Sequence, residues 1–514
     1  MLIRSFICIP LLAVAQATWS NSGNTDPYFT LSGTTYIGIE SEDATTHSFL
    51  GIPYASPPVG ELRWKSPRPL ENLSTTHQAK NFAPTCAQSQ HIVEWYKEVI
   101  IKFGGDPNKF KAPIFSENCL YLNIWRPANT SEDDALPVIV YIHGGSNKAG
   151  WSYEPNYLGN ELSKEGVLVI TIDYRLGPFG FFPTTGSKPS NFAIMDQVEA
   201  LRWIQSNIAS VGGDPTKITI MGESAGGNNV IYLMVSPLTK GLFNRAIIQS
   251  SGWALLENQD GEKYVNAYKK IMKQLSHIEN ADQYLRALSW KEILKLISPI
   301  YEELGYQAVI DQYSLTEPVA QTLSRTDYRK IDVLIGSNAD EWKMSFSEKD
   351  RLEEYVSKLF EKSAAHFILD HLTQYKNEYE ALDKLITAKN YVCPSLTIAE
   401  NATRTGAKSW VYYFSKIRSG KLAESMGAYH GAELPYVFNT HDEWLPTSDE
   451  DKKLGSIMTS YWANFAKSGN PNGAELPRWS PYEQSKPTTQ ILDHPISSSY
   501  HPSNSLCELL LNSK

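Results

Sequence analysis

The chain has 514 residues, 42% of them apolar, with 56 acidic against 47 basic side chains and a formal charge of −9. That length supports a large buried core. The acidic balance and the lack of a basic stripe argue against a nucleic-acid binder, whose phosphate contacts need a positive surface. The mild acidity reads as solubility.

In chain order, the first feature is "MLIRSFICIPLLAVAQATWS". Arg4, an apolar stretch from Phe6 to Ala15 and the small-x-small triplet Ala15-Gln16-Ala17 have the pattern of a secretory leader cut after Ala17. The expectation is a signal peptide over 1–17, a single domain over 18–514 and a secreted product. No later apolar run reaches spanning length, and the tail "SLCELLLNSK" is too polar for an anchor. With Cys8 in the leader, Cys86, Cys119, Cys393 and Cys507 remain. An even set in an oxidising compartment suggests disulfides, with the pairing open. Asn72, Asn129 and Asn401 head sequons and are candidate glycan acceptors. No residues have metal-ligand spacing, and neither metal nor organic cofactor is expected.

Short apolar runs bounded by Gly, Pro or Asp then recur: "PVIVYIHGG" (137–145), "VLVITIDY" (167–174), "KITIMGE" (217–223), "RAIIQSSG" (245–252), "DVLIGSN" (332–338) and "WVYYF" (410–414). They read as buried strands. The segment "NFAIMDQVEALRWIQSNIASVGG" between two of them has helical periodicity, with Ile194, Val198, Leu201 and Ile204 on one face. Strands alternating with helices predict an α/β fold with a mostly parallel sheet. Around 255–330 and 345–395 the pattern turns helical and more polar, which predicts insertions capping the sheet.

"KITIMGESAGGNN" ends a strand on a serine set between glycines. Gly222-Glu223-Ser224-Ala225-Gly226 fits the G-x-S-x-G nucleophile elbow, where a serine on a sharp strand-to-helix turn leaves no room for side chains two residues to either side. A glycine-rich turn opening a helix would look the same, so partners must decide. In this elbow's fold the order is Ser, then Asp or Glu, then His. Asp340 and Glu341 follow one strand, and either carboxylate could orient an imidazole; His430 follows another. Each candidate lies beyond the carboxyl end of a predicted strand, the edge where sites in open α/β sheets assemble. The strand ending His143-Gly144-Gly145 supplies an oxyanion loop of bare backbone N–H groups, with the Ala225 N–H as a second part. His143 reads as a support for that loop.

These stretches, with "FLGIPYASPPVGELRW", "SENCLYLNIW", "DYRLGPFGFF" and "AYHGAELPYVF", resemble the type-B carboxylesterase and cholinesterase family of α/β-hydrolases from about residue 30 to the C-terminus. The resemblance implies Ser224 as nucleophile, His430 as general base and acid, Glu341 as the orienting acid, and Gly145, Ser146 and Ala225 as the oxyanion hole. It makes Glu223 and Ser250 supports of the triad. It pairs Cys86 with Cys119 and Cys393 with Cys507, and implies structural ion pairs Arg63–Glu117 and Arg175–Asp196. Two positions depart from the family pattern. Ser146 stands where a third glycine is usual, followed by Asn147 in place of an aromatic. No tryptophan precedes Cys119 where cholinesterases hold choline by cation–π attraction. Trp95 lies earlier and reads as a packing or surface aromatic, so a choline specialist is not expected.

The expected function is hydrolysis of small carboxylic esters through an acyl-enzyme. The competing readings are a lipase for long-chain esters, with "HIVEWYKEVIIKF" as an amphipathic lid element, and a non-catalytic binding or adhesion protein on the same fold. The residues leave monomer and homodimer both open.

Overall fold

The computed structural model describes residues 26–512 apart from 71–74, 183–189, 258, 302–303, 347–349, 421 and 443. The leader expected over 1–17 and the sequon at Asn72 lie outside the described residues. The main sheet has eleven strands. In chain order they are β1 (Ile39–Glu40), β2 (Thr46–Pro53), β3 (Tyr121–Pro127), β4 (Leu136–Ile142), β5 (Leu168–Ile172), β6 (Gly213–Glu223), β7 (Arg245–Gln249), β8 (Asp332–Asn338), β9 (Ser409–Phe414), β10 (Thr489–Leu492) and β11 (Ser497–Ser499). Their spatial order is β11-β10-β9-β8-β7-β6-β4-β5-β3-β2-β1. The block from β10 to β5 is parallel, and antiparallel strands close both sides.

All six predicted strands are present. Their continuous apolar character follows from burial on both faces, as in a sheet covered by two layers. Along β4, Val138, Val140 and Ile142 point into one core, while Ile139 and Tyr141 point into another. The first core holds the predicted helix, now α2 (Phe192–Asn207), with Ile194, Val198, Leu201 and Ile204 buried as expected. A 3-10 turn extends it to Val211, and Gly212 at φ +90° ends it. The second core is covered by the helix Asp449–Ser468, through Leu454, Met458, Trp462 and Phe465.

The two segments expected to cap the sheet are helical. Helices Glu262–Gln274, Ala281–Ala287 and Trp290–Tyr301 share the first core through Tyr264, Ile271, Leu285, Ile293 and Ile297. Helices Leu352–Leu359, Lys362–Leu372 and Glu378–Thr387 gather a smaller core with the C-terminal helix Asn504–Asn512. The Cys393–Cys507 disulfide bridges that core, and Cys86–Cys119 closes the early loop. Both pairings agree with those the resemblance implied. Inside the early loop lies α1 (His91–Lys102), packed inward through Val93, Tyr96, Val99 and Ile100.

Arg63 donates to Glu117 at 2.7 and 2.5 Å, and Arg175 to Asp196 at 2.7 Å from two nitrogens. The second pair is fully buried and fixes the chain leaving β5 to α2. One sequon expectation is corrected. Asn401 sits in the helix Cys393–Arg404, 7% exposed, with its Oδ1 taken by Arg404 at 2.6 Å. A glycan there would have to break that packing. Asn129 is exposed in a turn after β3.

Candidate active site

β6 ends at Glu223, and α3 (Ala225–Val235) begins two residues on. Ser224 makes the corner with φ 57° and ψ −127°, a conformation costly for a residue with a side chain. Close packing enforces it. A Cβ on Gly222 would collide with the backbone of Gly226, and one on Gly226 with the Ile142 and His143 carbonyls at the end of β4. The two glycines of the motif thus let α3 start directly against the neighbouring strand. The Ser224 hydroxyl emerges at the start of that helix, and Ser224 N–H is anchored to the Gln249 carbonyl at 3.0 Å.

Residues far apart in sequence meet there. His430 Nε2 lies 2.7 Å from Ser224 Oγ, and His430 Nδ1 lies 2.6 Å from Glu341 Oε2. A carboxylate has no proton to give, so Nδ1 donates and Nε2 is left to accept from the serine hydroxyl. Glu341 Oε1 in turn accepts the Asn338 N–H at 2.7 Å, which locks the acid to the end of β8. Asp340, the other carboxylate left open by the residues alone, faces away. It takes Lys384 at 2.7 Å and the Ala428 N–H at 2.9 Å.

Below the triad runs a buried polar network that the motifs did not reveal. Asn338 Nδ2 donates to the Tyr429 carbonyl at 2.8 Å and to Glu433 at 2.6 Å. Gln249 donates to Glu433 at 2.9 Å and accepts from Trp462 at 3.0 Å. The network ties β7 and β8 to the loop carrying His430. Glu433 stands inside the quoted stretch "AYHGAELPYVF", three residues after the histidine, but nothing local says where it points.

Glu223 and Ser250 differ as supports. Glu223 Oε1 is 3.3 Å from His430 Nε2, and burial pushes its carboxyl well above the usual range. For His430, burial alone would lower the pKa. The Glu223 charge and the Glu341 hydrogen bond outweigh it, and the imidazole is raised above its ordinary value. Ser250 is fully buried at φ 46°, and its hydroxyl has no partner among the described residues. Its N–H donates to the Gly336 carbonyl at 2.8 Å, linking β7 to β8, and its side chain makes no hydrogen bond to Ser224, His430 or Glu341.

The loop after β4 holds the residues expected to supply an oxyanion hole. Gly145, Ser146 and Asn147 all have positive φ, at 94°, 58° and 56°. Among the described residues, the N–H groups of Gly145, Ser146 and Ala225 donate to no protein acceptor. His143 is buried, stacked on Tyr174 at 4.5 Å, with burial lowering its pKa to about 4. It is a neutral prop for the loop. Asn147 donates to the Tyr306 carbonyl at 3.0 Å and accepts from Asn229 at 2.8 Å, and so binds the loop to the segment around 306.

Ser224, His430 and Glu341 open into a cavity of about 710 Å³. α1 contributes Ile92, Trp95 and Tyr96 to its wall, so Trp95 is a cavity aromatic as well as a packing one.

A model described as "Carboxylesterase family" matches residues 30–508. The chain belongs to the carboxylesterase family. It is 31% identical over 493 residues to "Carboxylesterase 1C" of Mus musculus, covering 89% of this chain and 87% of that protein. With "Para-nitrobenzyl esterase" of Bacillus subtilis (strain 168) it shares 31% over 512 residues, covering 95% and 98%. A solved structure titled "PNB esterase" superposes with a TM-score of 0.80 at 29% identity, covering 95% of this chain and all of that one. The fold is therefore the α/β-hydrolase fold, and this carboxylesterase is a carboxylic ester hydrolase.

Proposed function

We propose that this carboxylesterase works through an acyl-enzyme on Ser224, with His430 as the proton carrier and Glu341 as its orienting acid. The observation that carries the reading is the unbroken chain of contacts from Ser224 Oγ through both ring nitrogens of His430 to Glu341, at 2.7 and 2.6 Å. Ser224 Oγ attacks the ester carbonyl while His430 Nε2 takes its proton. The carbonyl oxygen becomes an oxyanion held by the N–H groups of Gly145, Ser146 and Ala225. Each such donor contributes about 3 kcal/mol to the transition state, because it is aimed before the charge appears. Glu341 steadies the imidazolium. When the carbonyl reforms, the alcohol leaves with the proton from Nε2. A water then gives a proton to Nε2 and attacks the acyl carbon, and the acid departs as Ser224 recovers its proton.

Replacing Ser224 with Ala removes the nucleophile. The expected result is a fall of at least about 10⁴-fold in p-nitrophenyl ester hydrolysis with unchanged thermal unfolding. Wild-type turnover in a folded Ser224→Ala protein overturns the assignment.

The same reading makes 18–514 one catalytic domain, secreted after cleavage at Ala17. Its support is the two disulfides, which belong to an oxidising compartment. No helix among the described residues is long and apolar enough to cross a membrane. Edman sequencing of protein from the medium tests this, with Thr18 as the expected first residue. Asn129 is the sequon whose exposure suits a glycan.

A further inference from the structure

The cavity extends away from His430 along α3. Ser224, Asn228 and Tyr232 line it at four-residue intervals, and so present one face of the helix. At a rise of 1.5 Å per residue, this face carries the cavity about 12 Å from the nucleophile. Across from it stand Trp253 and Glu257, from the loop after β7, and Gly305 to Gln307.

Glu257 is the unusual member of this arm. The acyl-enzyme mechanism has no use for a second distant carboxylate, and an apolar ester would gain nothing from one. Glu257 is half-buried. Tyr232, 1% exposed, donates its hydroxyl to Glu257 Oε2, and the Ala308 N–H donates to the Tyr232 oxygen. This fixes the carboxylate's position. Among the described residues, its other oxygen accepts no hydrogen bond and no ammonium or guanidinium lies within ion-pair distance. Lys263, whose charge acts on Glu257, is turned to the Leu304 carbonyl at 2.9 Å. A half-buried carboxylate held by one hydroxyl and left open to the cavity on one side is an acceptor waiting for a donor.

Among the described residues the cavity wall carries the carboxyl groups of Glu154, Glu223, Glu257 and Glu341 and one lysine, Lys148 on the loop after β4. Aromatic rings of Trp253, Tyr306 and Tyr232 complete the arm and suit the methylenes next to a cation.

We propose that Glu257, positioned by Tyr232, is a specificity subsite for a protonated amine, and that the preferred esters carry a primary or secondary ammonium several bonds from the scissile carbonyl. The assignment rests on the catalytic reading above. It is distinct from recognition of choline, whose quaternary nitrogen has no N–H to give to the free oxygen. Burial raises the Glu257 carboxyl to about 7, while the Tyr232 hydrogen bond and the Lys263 charge pull it down. An arriving ammonium draws the carboxylate into its ionised form.

The test uses matched pairs that exchange a terminal ammonium for a methyl group on either side of the ester: p-nitrophenyl 6-aminohexanoate against p-nitrophenyl heptanoate, and 6-aminohexyl acetate against heptyl acetate. In at least one pair, the wild-type enzyme is expected to favour the amine by about tenfold in kcat/KM, mainly through KM, as a charge-assisted hydrogen bond provides. Glu257→Gln abolishes that preference and leaves the neutral ester within about twofold; Tyr232→Phe reduces the preference. No preference in either pair, or an equal loss on both members in Glu257→Gln, overturns the subsite. Turnover of the neutral esters and its loss in Ser224→Ala report separately on the catalytic reading. Calorimetric binding of hexylammonium to Ser224→Ala, with and without Glu257→Gln, decides the subsite even if that reading fails: at least tenfold weaker binding supports it, and equal binding overturns it.

Discussion

Ser224, Glu341 and His430 stand on turns that follow β6, β8 and β9, whereas the walls of the cavity come from α1, the 253–257 loop and the segment around 306. In the first region every side chain is fixed by short hydrogen bonds to strand ends or to its neighbours. In the second, most side chains meet the cavity through packing, and single bonds such as Tyr232 to Glu257 stand alone. On the proposed mechanism the chemistry rests on the strand ends, and the walls are left to choose the ester.

Adjacent carboxylates give the sharpest way to break this contrast. Glu341→Gln removes the charge and, with its amide oxygen held by the Asn338 N–H, turns an NH2 donor toward Nδ1, which favours the wrong histidine tautomer. It is expected to lower kcat by about 10³- to 10⁴-fold. Asp340→Asn should leave kcat within a few-fold. It removes one of the partners of half-buried Lys384, which keeps Asp383 and the Ala339 carbonyl, and a melting curve is expected to show a loss of about 1–2 kcal/mol. The reverse pattern would mean that the wrong carboxylate had been assigned.

The pH profile probes the same region with a smaller effect. His430 must be neutral to accept the serine proton, so activity rises with pH through its pKa. Glu223 and Glu341 raise that pKa, which places the rising limb above the ordinary imidazole value of 6.5. Glu223→Gln withdraws the larger of the two upward influences. The limb is expected to move to lower pH by about one pH unit. A limb that stays in place would show that Glu223 carries no charge when the enzyme acts.

The two regions also differ in how much of them could be read from the chain. Parallel strands buried on both faces are continuous apolar runs cut off by Gly or Asp, so β4 to β9 announced themselves. The elbow was legible because its glycines answer a local steric demand. Asp340 and Glu341 were chemically equal as residues, and only the family resemblance favoured Glu341; in the structure Asp340 is captured by Lys384, while the longer Glu341 reaches His430. Gln249 and Glu433 lie 184 residues apart, so the hydrogen bond joining them has no local signature. The sequon at Asn401 failed for the opposite reason, since a three-residue pattern carries no information on the packing of the helix that holds it. Glu257 and Tyr232 were silent because wall residues acquire meaning only when insertions fold over the site.

On the wall side, Trp95 tests whether α1 shapes substrate choice. It lines the cavity but touches none of the reacting groups through a hydrogen bond. Trp95→Ala is expected to raise KM a few-fold for bulky or long acyl esters, with kcat for the acetate ester unchanged. An equal fall in kcat for all esters would place α1 with the catalytic region.

Ser146 sits where the two regions meet, and its effect is the smallest. Its N–H belongs to the oxyanion loop, its side chain is exposed to the cavity, and its φ of 58° suits glycine better than serine. Serine in this conformation costs about 1 kcal/mol. Glycine removes that cost but adds freedom to the unfolded chain. Ser146→Gly is therefore expected to change unfolding free energy by less than about 1 kcal/mol, because the two terms oppose each other. Catalysis discriminates more cleanly than stability. If the loop is held by Asn147, through Tyr306 and Asn229, the donors stay aimed and kcat remains within about twofold. If Ser146 itself holds the loop, glycine loosens the donor and kcat falls toward the roughly 10²-fold loss seen when one oxyanion contact is removed. The hydrogen bonds of Asn147 favour the first outcome. On the proposed mechanism, they keep the donors of the loop in register where the usual third glycine is replaced by Ser146.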